Sequence, residues 1–157
     1  MTEKILVVGA GGQLGQELAR TAGAAVECVT ATRGELDIGD AAAIDACLAR
    51  LCPTQVINAA AYTAVDQAES EPGAARRGNA EGPGLLAAAC ARDDIRLIHI
   101  STDFVFDGTS ATPYTPDAPT APLGEYGRSK LQGEQAVSAA LPQALIIRTG
   151  WVYSAFG

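Results

Sequence analysis

The feature that most constrains this chain is the join of an apolar run to a glycine-rich turn and then to a helix-forming segment. Lys4-Ile5-Leu6-Val7-Val8 is continuous and β-branched, as expected of a central strand covered on both faces. It passes directly into Gly9-Ala10-Gly11-Gly12-Gln13-Leu14-Gly15 and then Gln16-Glu17-Leu18-Ala19-Arg20. Gly9, Gly12 and Gly15 fit G-x-x-G-x-x-G, whereas G-x-G-x-x-G counted from Gly9 fails at Leu14. Glycines in such a turn let a pyrophosphate approach the N–H groups at the start of the following helix. Cofactor binding by Gly9, Gly12, Gln13, Leu14 and Gly15 is therefore favoured over a turn that binds nothing.

The rest of the chain repeats the alternation. Strands are expected at Val26–Val29, Thr54–Asn58, Ile95–Ile100 and Ala144–Arg148, with helices between them. Asp40 reads as the N-cap of a helix over 41–51 that carries Ile44, Leu48 and Leu51 on one face. A looser helix runs from Gly73 towards Ala91, its middle blurred by Gly78, Gly82 and Gly84. Strand–helix alternation implies a doubly wound parallel sheet, Rossmann-like, in a single NAD(P)-binding domain over residues 1–157. The expected strand order is 3-2-1-4-5, with its switch point between the first and fourth strands.

Ligands in such sheets lie beyond the carboxyl ends of the strands. After the second strand come Thr30-Ala31-Thr32-Arg33, with no acid before Glu35. Thr32 and Arg33 suit a 2′-phosphate, which points to NADPH over NADH; Arg33 reads equally well as an exposed loop residue. After the third strand, Ala59-Ala60-Ala61-Tyr62 leaves room for a ligand ring, or forms a packing seam. Asp66–Glu71 reads as a solvated acidic loop. Asn79 either bridges to the site through water or faces solvent. The fourth strand delivers Ser101-Thr102-Asp103, whose hydroxyls can bond a reacting oxygen. His99, the single histidine, reads as a core residue and not a catalyst. Residues 104–124 form a long loop rich in Pro, Thr, Asp and Gly, and loops of that length are usually functional.

That loop leads into Tyr126-Gly127-Arg128-Ser129-Lys130. Residues four apart share a helix face, so a phenol and an ammonium project together. A phenol titrates near pH ~10 unless a neighbouring cation stabilises its phenolate. With that help, Tyr126 can exchange a proton with a carbonyl or alcohol oxygen.

Composition narrows the class. With 48% hydrophobic and 18% charged residues the chain reads as a soluble globular domain, expected in the cytoplasm, with no membrane association. A net charge of −7 argues against nucleic acid as a partner. Cys28, Cys47, Cys52 and Cys90 lack C-x-x-C pairing and read as reduced, mostly buried residues; no metal is expected.

Taken together, Gly12-Gln13-Leu14-Gly15, Glu35–Ile38, Asn58–Asp66, Ser101–Gly108, Tyr126–Lys130 and Arg148–Tyr153 resemble the extended short-chain dehydrogenases/reductases, and among them the dTDP-4-dehydrorhamnose reductase family. The resemblance implies reduction of a nucleotide sugar, dTDP-4-dehydro-L-rhamnose, to dTDP-L-rhamnose by NADPH or NADH. It implies that Tyr126 protonates the alkoxide, that Lys130 holds the ribose and lowers the phenol's pKa, and that Thr102 bonds the carbonyl oxygen. Asp37 and Ile38 would flank the adenine, with Ala60, Ala61 and Tyr62 also on the cofactor. Asp103 and Trp151 would touch the sugar nucleotide. Phe104 stands where the family commonly has tyrosine, Gly150 where serine is usual, and Thr32 where an acid is frequent.

Family members also continue past the point where this chain stops. The 157 residues are accordingly expected to hold the cofactor while turning over little or no substrate alone. An uncovered sheet edge near Trp151, Tyr153 and Phe156 invites association, for instance as a homodimer. Two other readings stay open: a nucleotide-sugar epimerase or dehydratase of the same fold, which would want tightly held NAD, and a non-catalytic regulatory subunit.

Overall fold

A computed structural model describes residues 3–156. Five strands form one parallel sheet: β1 (Glu3–Val8), β2 (Val26–Ala31), β3 (Gln55–Asn58), β4 (Arg96–Thr102) and β5 (Leu145–Thr149). Helices α1 (Gln13–Thr21), α2 (Ala41–Leu51), α3 (Pro72–Arg76), α4 (Gly82–Arg92) and α5 (Glu125–Ala140) connect them. Asp40 caps α2 as expected, its Oδ1 accepting from the N–H groups of Ala42 and Ala43 at 2.9 and 3.2 Å.

The strand order is β2-β1-β3-β4-β5, which corrects the expected 3-2-1-4-5. The third strand pairs with β1, and not with β2. The reason lies in the burial of the two strands. β2 leaves Glu27 and Thr30 exposed, as suits an edge, whereas Val56 of β3 is fully buried and needs neighbours on both sides. The switch point therefore falls between β1 and β3, which sets the glycine turn beside Ala59–Tyr62.

Alternate residues of the strands face one side of the sheet. Leu6, Val8, Val56 and Leu97 meet Ile44 and Leu48 of α2, Leu86 of α4 and Val137 of α5 there, forming the core. On the opposite side α1 packs against β1 and β2. Beyond it the registered row Val7, Ile57, Ile98 and Leu145 continues to a half-open apolar face, with Leu145 54% exposed. Trp151, Tyr153 and Phe156 are exposed as well.

The uncertain middle of the long helix resolves into a π-helical turn, Arg77–Glu81, between α3 and α4. Of the cysteines, Cys47 and Cys90 are buried, Cys28 is half-buried and Cys52 is exposed, so burial is less general than expected. Cys52 adopts a left-handed conformation (φ 46°) that ends α2, its N–H bonding the Leu48 carbonyl.

Candidate active site

The glycine turn is built by close approach. Gly9 has φ +81°, and a Cβ there would lie 2.4 Å from the Ala60 nitrogen. A Cβ on Gly15 would meet the Gly9 carbonyl oxygen at 2.4 Å. The N–H groups of Gly9 and Ala10 donate to the Ala31 carbonyl at 2.9 and 3.1 Å, fastening the turn to the tip of β2. Gly12 precedes α1 in an extended conformation, no side chain caps the helix, and the first turn holds no acid. These unoccupied N–H groups and the open space around Gly11 fit a pyrophosphate.

Around that turn the expected cofactor residues fall into two groups. Thr32, Arg33 and Ala61 are exposed, and Ala60 and Tyr62 are half-buried, all beyond strand ends. Asp37 is half-buried, but its carboxylate is already occupied: Oδ1 accepts from the Gly39 N–H and Oδ2 from Arg77, each at 2.8 Å. Ile38 is 6% exposed and packs where α4 begins, close to Gly82, so only its backbone faces outward.

On the other side of the crevice, α5 is drawn tightly onto the end of β4. A Cβ on Gly127 would lie 2.3 Å from the Phe104 carbonyl oxygen, so only glycine allows this approach. Tyr126 thereby meets Phe104 edge-on, with ring centroids 5.5 Å apart. The Thr102 hydroxyl donates to Asp103 Oδ1 at 3.2 Å and accepts from the Phe104 N–H. Trp151 is 93% exposed beyond β5. Gly150 lies so close to Asp103 that a Cβ would sit 2.5 Å from Oδ2.

The electrostatics correct one expectation. Burial, reinforced by the Asp103 carboxylate and opposed by hydrogen bonding with Thr102, pushes the Tyr126 phenol above its ordinary range. Lys130 is bonded elsewhere. Its Nζ donates to the Ile100 carbonyl at 2.7 Å, and its side chain is buried against the sheet. Burial lowers the ammonium to about 8, partly offset by Glu134 one turn along. The shared helix face is present, but the amine is held by a backbone carbonyl and the phenol lies above its ordinary range, not below it.

Several supporting groups were not singled out as site residues from the sequence. Asn79, in the π turn, is fully buried. Its Oδ1 accepts from the Tyr62 N–H at 2.8 Å, and its Nδ2 donates to the Tyr62 carbonyl and to Ser129 Oγ. It thus ties the loop after β3 to the residue preceding Lys130, facing neither water nor solvent. The acidic loop also serves the site. Glu71 accepts from the Tyr62 hydroxyl at 2.9 Å, and Glu69 accepts from the first N–H of α5. Glu134 binds Ser101 and takes both Nε and Nη2 of Arg148. A polar residue on a glycine- and alanine-rich helix was the one available signal for Asn79. A separate cleft of about 820 Å³ runs along β5 and α5 and meets the site at Asp103, Glu134, Arg148 and Gly150.

A parallel α/β sheet with a glycine turn at its switch point, Thr102 at the end of β4, and Tyr126 and Lys130 on α5 has the architecture of a Rossmann-like domain of the short-chain dehydrogenase/reductase type. More narrowly, the chain belongs to the family described as "RmlD substrate binding domain", whose model matches residues 3–157.

A dTDP-4-dehydrorhamnose reductase of Mycobacterium tuberculosis is 49% identical over 98% of this chain, and 51% of that protein is covered. A dTDP-4-keto-6-deoxy-D-glucose reductase of Streptomyces niveus is 45% identical over the whole chain, with 55% of its own length covered. Among solved structures, the dTDP-4-dehydrorhamnose reductase of Bacillus anthracis in complex with NADP superimposes with TM-score 0.97 at 35% identity. That match covers 100% of this chain and 56% of the other. The chain spans about half the length of the curated relatives it matches.

Proposed function

We propose that this chain is the cofactor-holding and proton-donating part of an NADPH-dependent reductase, NADH also being accepted, that acts on a dTDP-4-keto-6-deoxyhexose. The substrate favoured is dTDP-4-dehydro-L-rhamnose, giving dTDP-L-rhamnose. One observation carries this reading: Gly127 lets α5 close onto Phe104, which sets the Tyr126 ring against the segment that follows Thr102 at the carboxyl end of β4, in the sheet that also carries the glycine turn. The reductases named above, 45–49% identical, support the substrate class.

The residues that would hold the dinucleotide are the turn Gly9–Gly15, Thr32 and Arg33 at the β2 tip, the backbone of Asp37 and Ile38, and Ala60–Tyr62. NADPH supplies the hydride when bound. Tyr126 supplies the proton. A phenol raised above its ordinary range stays protonated at neutral pH, which suits a donor to a nascent alkoxide. Thr102 can turn its hydroxyl from Asp103 to a carbonyl oxygen. Lys130 contributes a buried positive charge beneath the site, which favours charge developing as the proton leaves.

The test is a titration of NADPH followed by turnover with dTDP-4-dehydro-L-rhamnose. With turnover measured on this chain joined to the remaining half that its relatives carry, Tyr126→Phe is expected to bind NADPH as the parent does and to lose sugar-dependent NADPH oxidation. Failure of the parent to bind either nicotinamide nucleotide, or undiminished turnover in Tyr126→Phe, would overturn the reading.

A further inference from the structure

The tip of β2 holds an arrangement that the order of residues did not disclose. Glu35 folds back over the turn, and its Oε2 accepts from both the Thr32 N–H and the Thr32 hydroxyl, each at 2.8 Å. The turn is closed beneath it by Glu35 N–H and Leu36 N–H donating to the Thr32 carbonyl at 3.0 and 2.9 Å. One residue earlier, the Ala31 carbonyl is the acceptor that fastens Gly9 and Ala10. A carboxylate therefore sits on the donors next in line after the glycine turn. Those two bonds, backbone first, hold it below the usual carboxylate range, so it is ionised at neutral pH. Arg33, beside it, makes no ion pair or side-chain hydrogen bond among the described residues.

We propose that Glu35 sets the choice between NADH and NADPH by occupying the place a 2′-phosphate would take. The inference rests on the dinucleotide reading of the crevice. An anion arriving at Thr32 finds its two donors taken and a like charge in place, so Glu35 must swing out before Thr32 and Arg33 can serve the phosphate. A ribose 2′-hydroxyl meets no such obstacle. It donates to the carboxylate where it stands. Arg33 and Glu35 thus act in opposition: one draws the 2′-phosphate, the other excludes it.

The experiment measures dissociation constants of NADPH and NADH for the parent, Glu35→Gln, Glu35→Ala and Arg33→Ala, read from nucleotide fluorescence. The same ratio is taken with 2′,5′-ADP against 5′-ADP, which removes the nicotinamide. Both Glu35 variants are expected to tighten NADPH relative to NADH by about tenfold, and Arg33→Ala to shift the ratio the other way. A ratio is insensitive to general loosening of the turn, which weakens both nucleotides alike. If both nucleotides bind and the Glu35 variants leave the ratio within about twofold, Glu35 has no part in the choice, and the dinucleotide reading still stands. If no form binds either nucleotide, the dinucleotide reading itself is lost, and this inference with it.

Discussion

Glu69 reaches across the chain to accept a hydrogen bond from the Glu125 N–H at 2.7 Å, capping the helix that carries Tyr126 and Lys130. The residue in the N-cap position is Gly124, which has no side chain to do this. A Cβ on Gly124 would lie 2.9 Å from Glu69 Oε1, so the glycine is what lets the carboxylate in. The cap satisfies one orphan donor and places negative charge at the positive end of the helix. Glu69→Ala should cost about 1 kcal/mol of stability, and Glu69→Gln somewhat less because the amide oxygen still accepts. Urea denaturation of the three forms checks the order.

Two glycines in helices should respond to alanine with opposite signs. Gly73 lies near the start of α3 with nothing within 4 Å of a Cβ, so Gly73→Ala should stabilise by about 0.5 kcal/mol through helix propensity alone. Gly133 of α5 faces the π turn, and a Cβ there would sit 2.0 Å from the Asn79 carbonyl oxygen. That overlap with backbone cannot be relieved by a rotamer change. Gly133→Ala should lose about 2–3 kcal/mol despite the better propensity, because α5 must shift from the turn that holds Tyr62. Thermal melting of both variants decides whether packing outweighs propensity at Gly133.

His99 makes stability fall in mild acid. It is fully buried, and Asn58 fixes its tautomer: Asn58 Oδ1 takes the Ala60 N–H, so Nδ2 donates to His99 Nδ1 and the ring proton sits on Nε2. Nε2 has no partner among the described residues. Burial first, and the Lys130 charge second, lower the ring to about 3 from 6.5. A base depressed in the folded state loses stability as pH drops below its unfolded value, since the unfolded chain then binds the extra proton. The contribution is full above pH 6.5 and drains towards pH 3. At 1.36 kcal/mol per pH unit the loss reaches about 2 kcal/mol by pH 5. Denaturant midpoints between pH 7 and 5 should show this slope in the parent and a shallower one in His99→Gln.

The elements of the fold were readable because each strand is an apolar run ended by a turn, and Asp40 and the glycine turn mark helix starts. What escaped reading depends on which strand lies beside which. Nothing local in Thr54–Asn58 says whether it pairs with β1 or β2; the decision comes from the exposed Glu27 and Thr30 on β2, a property of the assembled sheet. Spacing alone puts the phenol and the ammonium on one helix face, and both lie in α5. Spacing does not say what the ammonium bonds, and the Ile100 carbonyl lies 30 residues away in sequence. Asn79, Glu69 and Glu35 share this character, since each is an ordinary polar residue whose role is set by a backbone group brought to it by the fold.

Lys130 sets a cost in stability against function. Its pKa of about 8, below the 10.5 of a free lysine, means that the folded state resists the ammonium at neutral pH. The unfolded chain binds the proton more tightly, so stability should rise as pH climbs from 8 towards 10.5. Lys130→Met removes the buried charge and keeps the volume, while leaving the Ile100 carbonyl without this donor. The two effects oppose each other. Relief of a charge depressed by more than two pH units outweighs one neutral acceptor, which is worth about 1 kcal/mol. Lys130→Met should therefore be more stable than the parent by about 1–2 kcal/mol at pH 7, with a shrinking margin near pH 10. Urea midpoints at the two pH values test this. A destabilised variant at pH 7 would mean that the ammonium is well solvated by its hydrogen bond and by Glu134, and that burial exacts no penalty at this position.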